Sequence, residues 1–299
     1  MSILVLGTTA LDTVTTPSGK RREMLGGSAV HFSMSASHFT EVHLVAIVGE
    51  DFPKKHIDFL RKKGLVLASL IIGKGRTFRW EGEYHGDLNA ALTRSTELGV
   101  LAAFHPQIAE HQRRIENIFL ANVDPDIQHR LLGKMIRPRL VGLDSMNYWI
   151  DHKRASLLRL IKKVDIFVAN DAEARSLSGE TNLIKAANAL CRMGAPMVVI
   201  KKGEHGVLVV YEGCLFCLPA YPVETIVDPT GAGDTFAGGF MGYLAKSKKI
   251  NLTEVKKAIS YGTIMASFNV EGFGVERTAK LTQNEVAKRL KHYKDLLTF

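Results

Sequence analysis

The sequence predicts an α/β protein: a doubly wound, mostly parallel sheet flanked by helices, carrying a small antiparallel β flap. Three observations predict it. Short apolar runs ending in glycine or a polar residue recur, as at 2–7 and 41–49, which is how strands buried on both faces read. After Pro106 such runs alternate regularly with stretches of helical period, and strand followed by helix, many times over, builds a parallel sheet between helices. Between 65 and 104 the alternation lapses: strand-like segments follow one another with no convincing helical period between them. That segment is the expected flap; an Ω-type loop or a partner-binding sheet is the competing description.

Taken in order, the first core strand is 2–7, and Asp12 follows five residues after Gly7. The threonine-rich stretch to Lys20 reads as an exposed hairpin with Pro17, Ser18 and Gly19 at its tip. Gly26, Gly27 and Ser28 open a helix that buries Ala29, Phe32, Ala36 and Phe39. Residues 41–49 form the second core strand and 53–63 a helix. In the flap, 65–72 and 76–84 are strand-like, with a third stretch at 92–104. The regular part then gives strands at 117–121, 139–144, 164–169, 196–201 and 206–211, with helices at 125–134, 152–163, 171–177 and 181–193. Three helices close the chain, at 232–247, 251–270 and 282–297. Asn251 with Glu254, and Thr282 with Glu285, sit as cap and third position. No repeat, low-complexity tract or linker interrupts the pattern. The expected organisation is one domain over 1–299, with a flap or lid from about 12–24 and 65–104.

Composition narrows the function classes. Of 299 residues, 46% are hydrophobic, ample for a large core. The formal net charge of +9 favours anionic ligands such as nucleotides and phosphorylated compounds. The basic residues are dispersed over loops and helix ends, and no basic helix carries interleaved aromatics, which argues against a nucleic-acid reader. Cys191, Cys214 and Cys217 are too few for a disulfide framework. The Cys214–Cys217 gap resembles half a zinc knuckle with no second half, and its alternation reads as a strand. No apolar run approaches membrane-spanning length, and the chain enters its first strand directly, so a cytoplasmic protein without a membrane partner is expected.

In a doubly wound sheet the ligand sits beyond the carboxyl ends of the strands. Just after strands lie Asp12, Glu50, Asp51, Asn122, Asp124, Asp144, Asn147, Asn170, Glu173, Lys201, Lys202 and Asp228. The most telling stretch is 227–239. Gly231 and Gly233 leave the backbone bare where a helix begins, and unpaired amides at the positive end of a helix dipole suit a phosphoryl group. Asp234 beside that cradle would repel a bound phosphate unless it has a task, such as taking a proton from an attacking hydroxyl. An ordinary helix start, glycine for turning and aspartate for capping, is the competing reading. Asn170 and Glu173 lie on one helical face and could hold a hydrated magnesium ion, or simply cap the helix.

The run from Asp228 to Phe236, with Gly231, Ala232, Gly233 and Asp234 at its centre, resembles the C-terminal signature of the ribokinase/PfkB family of small-molecule kinases. Asp12 with Gly26 and Gly27, the Gly49-Glu50-Asp51 turn, and Asn170-x-x-Glu173 resemble further elements of that family, in its order. The resemblance implies Asp234 as base and the Gly231, Ala232 and Gly233 amides as anion hole. It implies substrate binding by Asp12, Gly26, Gly27, His31 and Asn122, His31 standing where relatives often carry Asn. Nucleotide contacts would come from Asn170, Glu173, Lys201, Gly203, Gly206 and Thr230. Mg²⁺ would be positioned through Asn170 and Glu173, and K⁺ near Asp228 and Thr230 with help from 269–274. Pro229 replaces the more frequent Thr. No P-loop, H-E-x-x-H or G-x-S-x-G motif is present.

The implied function is transfer of the γ-phosphate of ATP to a hydroxyl of a sugar or sugar-like substrate. Asp234, beside a helix N-terminus, is expected to have a low pKa. The same-class rival is a nucleoside kinase, with Phe78, Trp80 and Tyr84 as stacking surface. The different-class rivals are a silent ligand-binding protein on the same fold and, more distantly, a nicotinamide oxidoreductase lacking its third glycine. Exposed strand edges of the flap could pair two subunits into a homodimer.

Overall fold

A computed structural model describes residues 1–86 and 88–298 of the chain. In chain order its strands are β1 (Ser2–Leu6), β2 (Ala10–Thr16), β3 (Gly19–Gly26), β4 (Glu41–Gly49), β5 (Val66–Gly73), β6 (Arg79–Tyr84), β7 (Ala91–Glu97), β8 (Asn117–Leu120), β9 (Leu140–Asp144), β10 (Ile166–Asn170), β11 (Met197–Lys201), β12 (Val207–Tyr211) and β13 (Cys214–Leu218). The α-helices are α1 (Ser28–Ala36), α2 (Lys54–Lys62), α3 (Pro125–Leu132), α4 (Asn147–His152), α5 (Arg154–Ile161), α6 (Asp171–Ser178), α7 (Leu183–Met193), α8 (Ala232–Lys246), α9 (Leu252–Asn269) and α10 (Gln283–Leu296).

The large sheet runs β13-β12-β11-β10-β9-β8-β1-β4-β5. From β11 to β5 every pairing is parallel, and β12 and β13 extend that edge antiparallel. Successive side chains of a strand point to opposite faces, and β1 shows the consequence. Ile3 and Val5 enter a core shared with α1, α8 and α9, while Leu4 and Leu6 enter another shared with α3, α5 and α7. Both faces are therefore covered, and the continuous apolar runs of the sequence follow from that.

The second sheet has the order β3-β2-β6-β7, antiparallel except for the β2–β6 pair. The flap therefore comes from two separated stretches of chain. The segment 65–72, expected within it, lies elsewhere: β5 runs parallel to β4 at the edge of the large sheet. The reason is the helix before it, since β4, α2 and β5 form a crossover unit that returns the chain to the same sheet. After β7 the chain turns through a short 3-10 helix at Gly99–Ala103, where a third strand-like stretch was expected to continue. Every residue of β7 is exposed. Cys214 and Cys217 sit on β13, a strand as the alternation suggested.

Two helices set the position of the site. On α1, Phe32 stacks on Phe119 of β8 with ring centroids 4.5 Å apart. α8 lies against α1 so closely that a Cβ on Gly238 would fall 2.3 Å from the Phe32 carbonyl oxygen. Alanine gains about 1 kcal/mol over glycine in a helix, but overpacking a fixed contact costs about 1–3 kcal/mol. Gly238→Ala is thus expected to lower the urea unfolding midpoint despite its better helix propensity; an unchanged or higher midpoint would show the α1–α8 contact to be adaptable.

Candidate active site

The N-terminal end of α8 gives the site its shape. Gly231 precedes the helix in the left-handed conformation, φ 72°. A Cβ there would lie 2.3 Å from Nδ1 of His31, so only glycine lets the turn rest on that imidazole ring. Among the described residues the amides of Gly231, Gly233 and Asp234 have no acceptor. The amide of Ala232, counted in the cradle from the sequence, instead donates to the Pro229 carbonyl at 3.1 Å and closes the turn. Chain reversal before the helix consumes that donor and leaves its neighbours bare.

The turn is held by Asp228 at its start and by residues distant in sequence. Asp228 is fully buried; Oδ1 accepts from the Thr230 amide and Oδ2 from the Gly274 amide, both at 2.9 Å. Asn269 donates through Nδ2 to the Thr230 carbonyl at 2.8 Å, which fixes its amide orientation. Its Oδ1 then accepts from Thr235 Oγ1 at 2.9 Å and pairs with His31 Nδ1 at 3.1 Å. His31 must supply the proton, leaving Nε2 as the unprotonated nitrogen. His31 is only 2% exposed, and burial lowers its pKa, with Asp228 and Asn269 opposing. The structure thus sets His31 behind Gly231 rather than in the open cleft. Asn269 is a member of the site that sequence reasoning did not find; only its place in 269–274 hinted at it.

On one side of Asp234 lies Asp12. It is buried in β2, accepts from the Gly27 amide at 3.1 Å, and packs over Gly26. Gly27 (φ 94°) caps α1, and a Cβ there would strike the Thr8 carbonyl at 2.5 Å. Burial pushes the Asp12 carboxyl up to about 7, with Asp228 and Asp234 adding to the rise and the Gly27 bond opposing it.

On the other side lies an ion pair that the sequence did not reveal. Lys201, at the end of β11, reaches across β10 and donates to Asp144 Oδ2 at 2.9 Å. Its Nζ is 2.9 Å from where a Cβ on Gly233 would be, so the ammonium stands over the bare turn. Burial would lower the Lys201 pKa, but Asp144, Glu173 and Asp234 around it outweigh that and raise it. Asp144 fell at the end of a strand, which placed it among the candidates, but nothing in the sequence pairs it with Lys201.

Asn170 and Glu173 form a reciprocal capping box at the start of α6, each side chain accepting the other's amide at 2.7 Å. The cap uses one oxygen of each. Glu173 nonetheless belongs to the site: it is buried, and burial with the nearby Asp144 raises its pKa against the pull of Lys201. Three carboxylates with one ammonium leave a net negative cluster, the donor chemistry that fits a divalent cation. Among the described residues no three acidic, histidine or cysteine side chains converge closely enough to hold a metal alone. At 203–205 the chain makes a short 3-10 turn, closed by Lys202 N–H to the Gly206 carbonyl at 2.8 Å.

The charges of both groups act on Asp234 or feel it, and its own pKa corrects the expectation of a low value. Burial pushes it up to about 7, Asp144 adds, and Lys201 opposes. Burial among carboxylates outweighs the helix terminus. Asn122 accepts from Trp149 Nε1 at 2.9 Å, and its carbonyl accepts from Ser28 Oγ at 3.0 Å. Beside it opens a cavity of about 190 Å³ lined by Leu98, Leu101, Val123, Asp124, Tyr148 and Trp149 among others. Phe78 packs on the core beneath β4, and Trp80 donates to Thr93 within the flap. Tyr84 reaches the site itself, its hydroxyl accepting from Thr230 Oγ1 at 3.2 Å.

A profile of the pfkB family carbohydrate kinases matches residues 128–281. A cytidine kinase of Thermococcus kodakarensis is 33% identical over 256 residues, which is 84% of this chain and 91% of that protein. The crystal structure of Methanocaldococcus jannaschii nucleoside kinase superposes with a TM-score of 0.78 at 20% identity, over 97% of this chain and 98% of the other. A double-mutant fructokinase of Vibrio cholerae, with fructose, ADP and potassium bound, gives 0.81 at 16% identity over 97% and 98%. Among the described residues no helix is long and apolar enough to cross a membrane.

An acid whose pKa is raised by folding binds its proton more tightly in the native state. Stability from such a group is full below the unfolded value near 3.8 and is lost as pH rises towards 7. Asp12 and Asp234 are therefore expected to make the protein less stable at pH 7.5 than at pH 5. Asp234→Asn should raise the melting temperature at pH 7.5 by roughly a few degrees, the gain narrowing at pH 5. Calorimetric scans at the two pH values check this; a gain equal at both would refute it.

Proposed function

The chain belongs to the pfkB family of carbohydrate kinases and is a small-molecule phosphotransferase, and we propose that it carries out transfer from MgATP at the start of α8. The observation that carries this reading is what gathers at the bare turn: Lys201, paired with Asp144, stands over Gly233 beside Asp234, and the buried Asp12 lies near enough for its charge to act on Asp234. An acceptor held by Asp12 and a donor phosphate held near Lys201 would meet at it.

In this reading Asp12 accepts hydrogen bonds from substrate hydroxyls, with Gly26 and Gly27 lining the approach. Asp234 takes the proton from the attacking hydroxyl. With a pKa of about 7 it is a stronger base than an ordinary aspartate and is still ionised in good part near neutrality. The amides of Gly231, Gly233 and Asp234 receive the charge on the γ-phosphoryl oxygens, and Lys201 stands above them. Mg²⁺, near Glu173 and Asn170, would neutralise donor phosphate charge and orient it for transfer. His31 acts from behind, holding Gly231. The flap sheet covers the acceptor and keeps water from the phosphoryl group. A potassium ion near Asp228, Thr230 and the 269–274 loop is a further part of the proposal, supported by the ion bound in the fructokinase relative; kinetics in K⁺ against Na⁺ test it.

Asp234→Asn is expected to lower kcat by roughly 10²–10⁴-fold, while the affinity for MgADP, read by calorimetry, changes less than about twofold. Turnover near that of the wild type would remove Asp234 from the chemistry.

A nucleoside is the second reading of the acceptor, favoured by the cavity beside Asn122. Tyr148 and Trp149 give it aromatic walls, while Asp124 and His152 supply polar atoms for a base edge. The cytidine kinase relative points the same way. In a Trp80→Phe protein Trp149 is the remaining tryptophan, so cytidine should quench its emission and ribose should not. Equal responses to the two would exclude a base at this cavity.

A further inference from the structure

Beyond the contribution of Asp12 to the site, hydrogen bonds tie the flap to the segment that leads into the bare turn. From β2, Thr16 Oγ1 donates to the Val227 carbonyl at 2.8 Å. From the end of β6, Tyr84 accepts from Thr230 Oγ1 at 3.2 Å and is only 8% exposed, although the next strand of the sheet, β7, is exposed throughout. Among the described residues Thr230 is otherwise held only through its backbone, by Asp228 at its amide and Asn269 at its carbonyl. Its side chain is the point where the flap acts on the turn, one residue before Gly231.

The chemistry of this contact is directional. Tyr84 keeps its proton at any physiological pH, because burial pushes its pKa up to about 12 with Asp228, Asp12 and Asp234 adding to the rise. It can therefore accept from Thr230 and still offer its own O–H towards the carboxylate side of the site. A threonine hydroxyl that loses this partner regains its rotamers, and the backbone beside it loses one of the restraints on a left-handed glycine.

We infer that Tyr84 is a positioning residue for phosphoryl transfer: through Thr230 it fixes the Gly231 turn, so that the anion-binding amides are aligned only while the flap is down. The device restricts transfer to the covered site, where an acceptor rather than water meets the phosphoryl group. It rests on the reading of that turn as the anion hole, and the experiment separates the two claims.

The test needs no knowledge of the acceptor. MgADP is titrated alone and then with aluminium fluoride, whose complex imitates the phosphoryl group in flight and should bind tighter than the nucleotide alone. The wild type is expected to show this tightening. Tyr84→Phe keeps the ring and the packing; it should bind MgADP as the wild type does but lose roughly tenfold of the fluoride-dependent tightening, the scale of one hydrogen bond. Thr230→Val should lose a similar factor, and the double variant no more than either single one. Tightening that survives intact in Tyr84→Phe, or losses that multiply in the double variant, would overturn the inference. No tightening in the wild type would instead overturn the anion hole itself. An equal loss of affinity for MgADP with and without fluoride would mark Tyr84 as merely structural and likewise overturn it.

Discussion

A helix must begin without side chains over its first amides and yet be held rigid; the rest of the structure answers to that constraint. Bare backbone is flexible backbone, so the order in the turn before α8 has to be imported. It comes from Asp228 and Asn269, which bind the turn through backbone groups, and from the His31 ring beneath Gly231. Asp228 opens the turn itself, while Asn269 and His31 arrive from distant parts of the chain. The close seating of α8 on α1 fixes the helix behind the turn, and the stack of Phe32 on Phe119 fixes α1 on the sheet. Core packing and site geometry are one system here.

Electrostatics supplies the second layer. Asp12, Glu173 and Asp234 are all pushed upward by burial, and Asp144 is neutralised by Lys201. An unliganded protein bears this concentration of carboxylates as a cost in stability. That cost is what makes the site receptive to a cation and to a hydroxyl proton, and what makes Asp234 basic enough to act near neutrality.

The regular part of the fold was legible in the sequence because burial on both faces writes continuous apolar runs, and because capping pairs such as Thr282 with Glu285 mark helix starts locally. The flap was less legible. β5 reads like a flap strand by itself, and only its return to β4 through α2 assigns it to the large sheet. Asn170 and Glu173 show a further limit: their spacing allowed a cap or an ion site, and the folded chain makes the cap while keeping Glu173 in the charged cluster.

What the sequence by itself determined is therefore the alternating architecture and the residues gathered at the strand ends, since both follow from periodicity and local backbone chemistry. Tertiary structure alone decided which of those residues meet. Lys201 could have faced solvent, and only the parallel order of β9, β10 and β11 lays it against Asp144. Asp234 could have been an ordinary acidic helix start with a low pKa; only the burial and the Asp144 carboxylate brought to it by distant segments raise it. Desolvation and charge–charge energy depend on distances between residues far apart in the chain, and such distances exist only once the chain has folded.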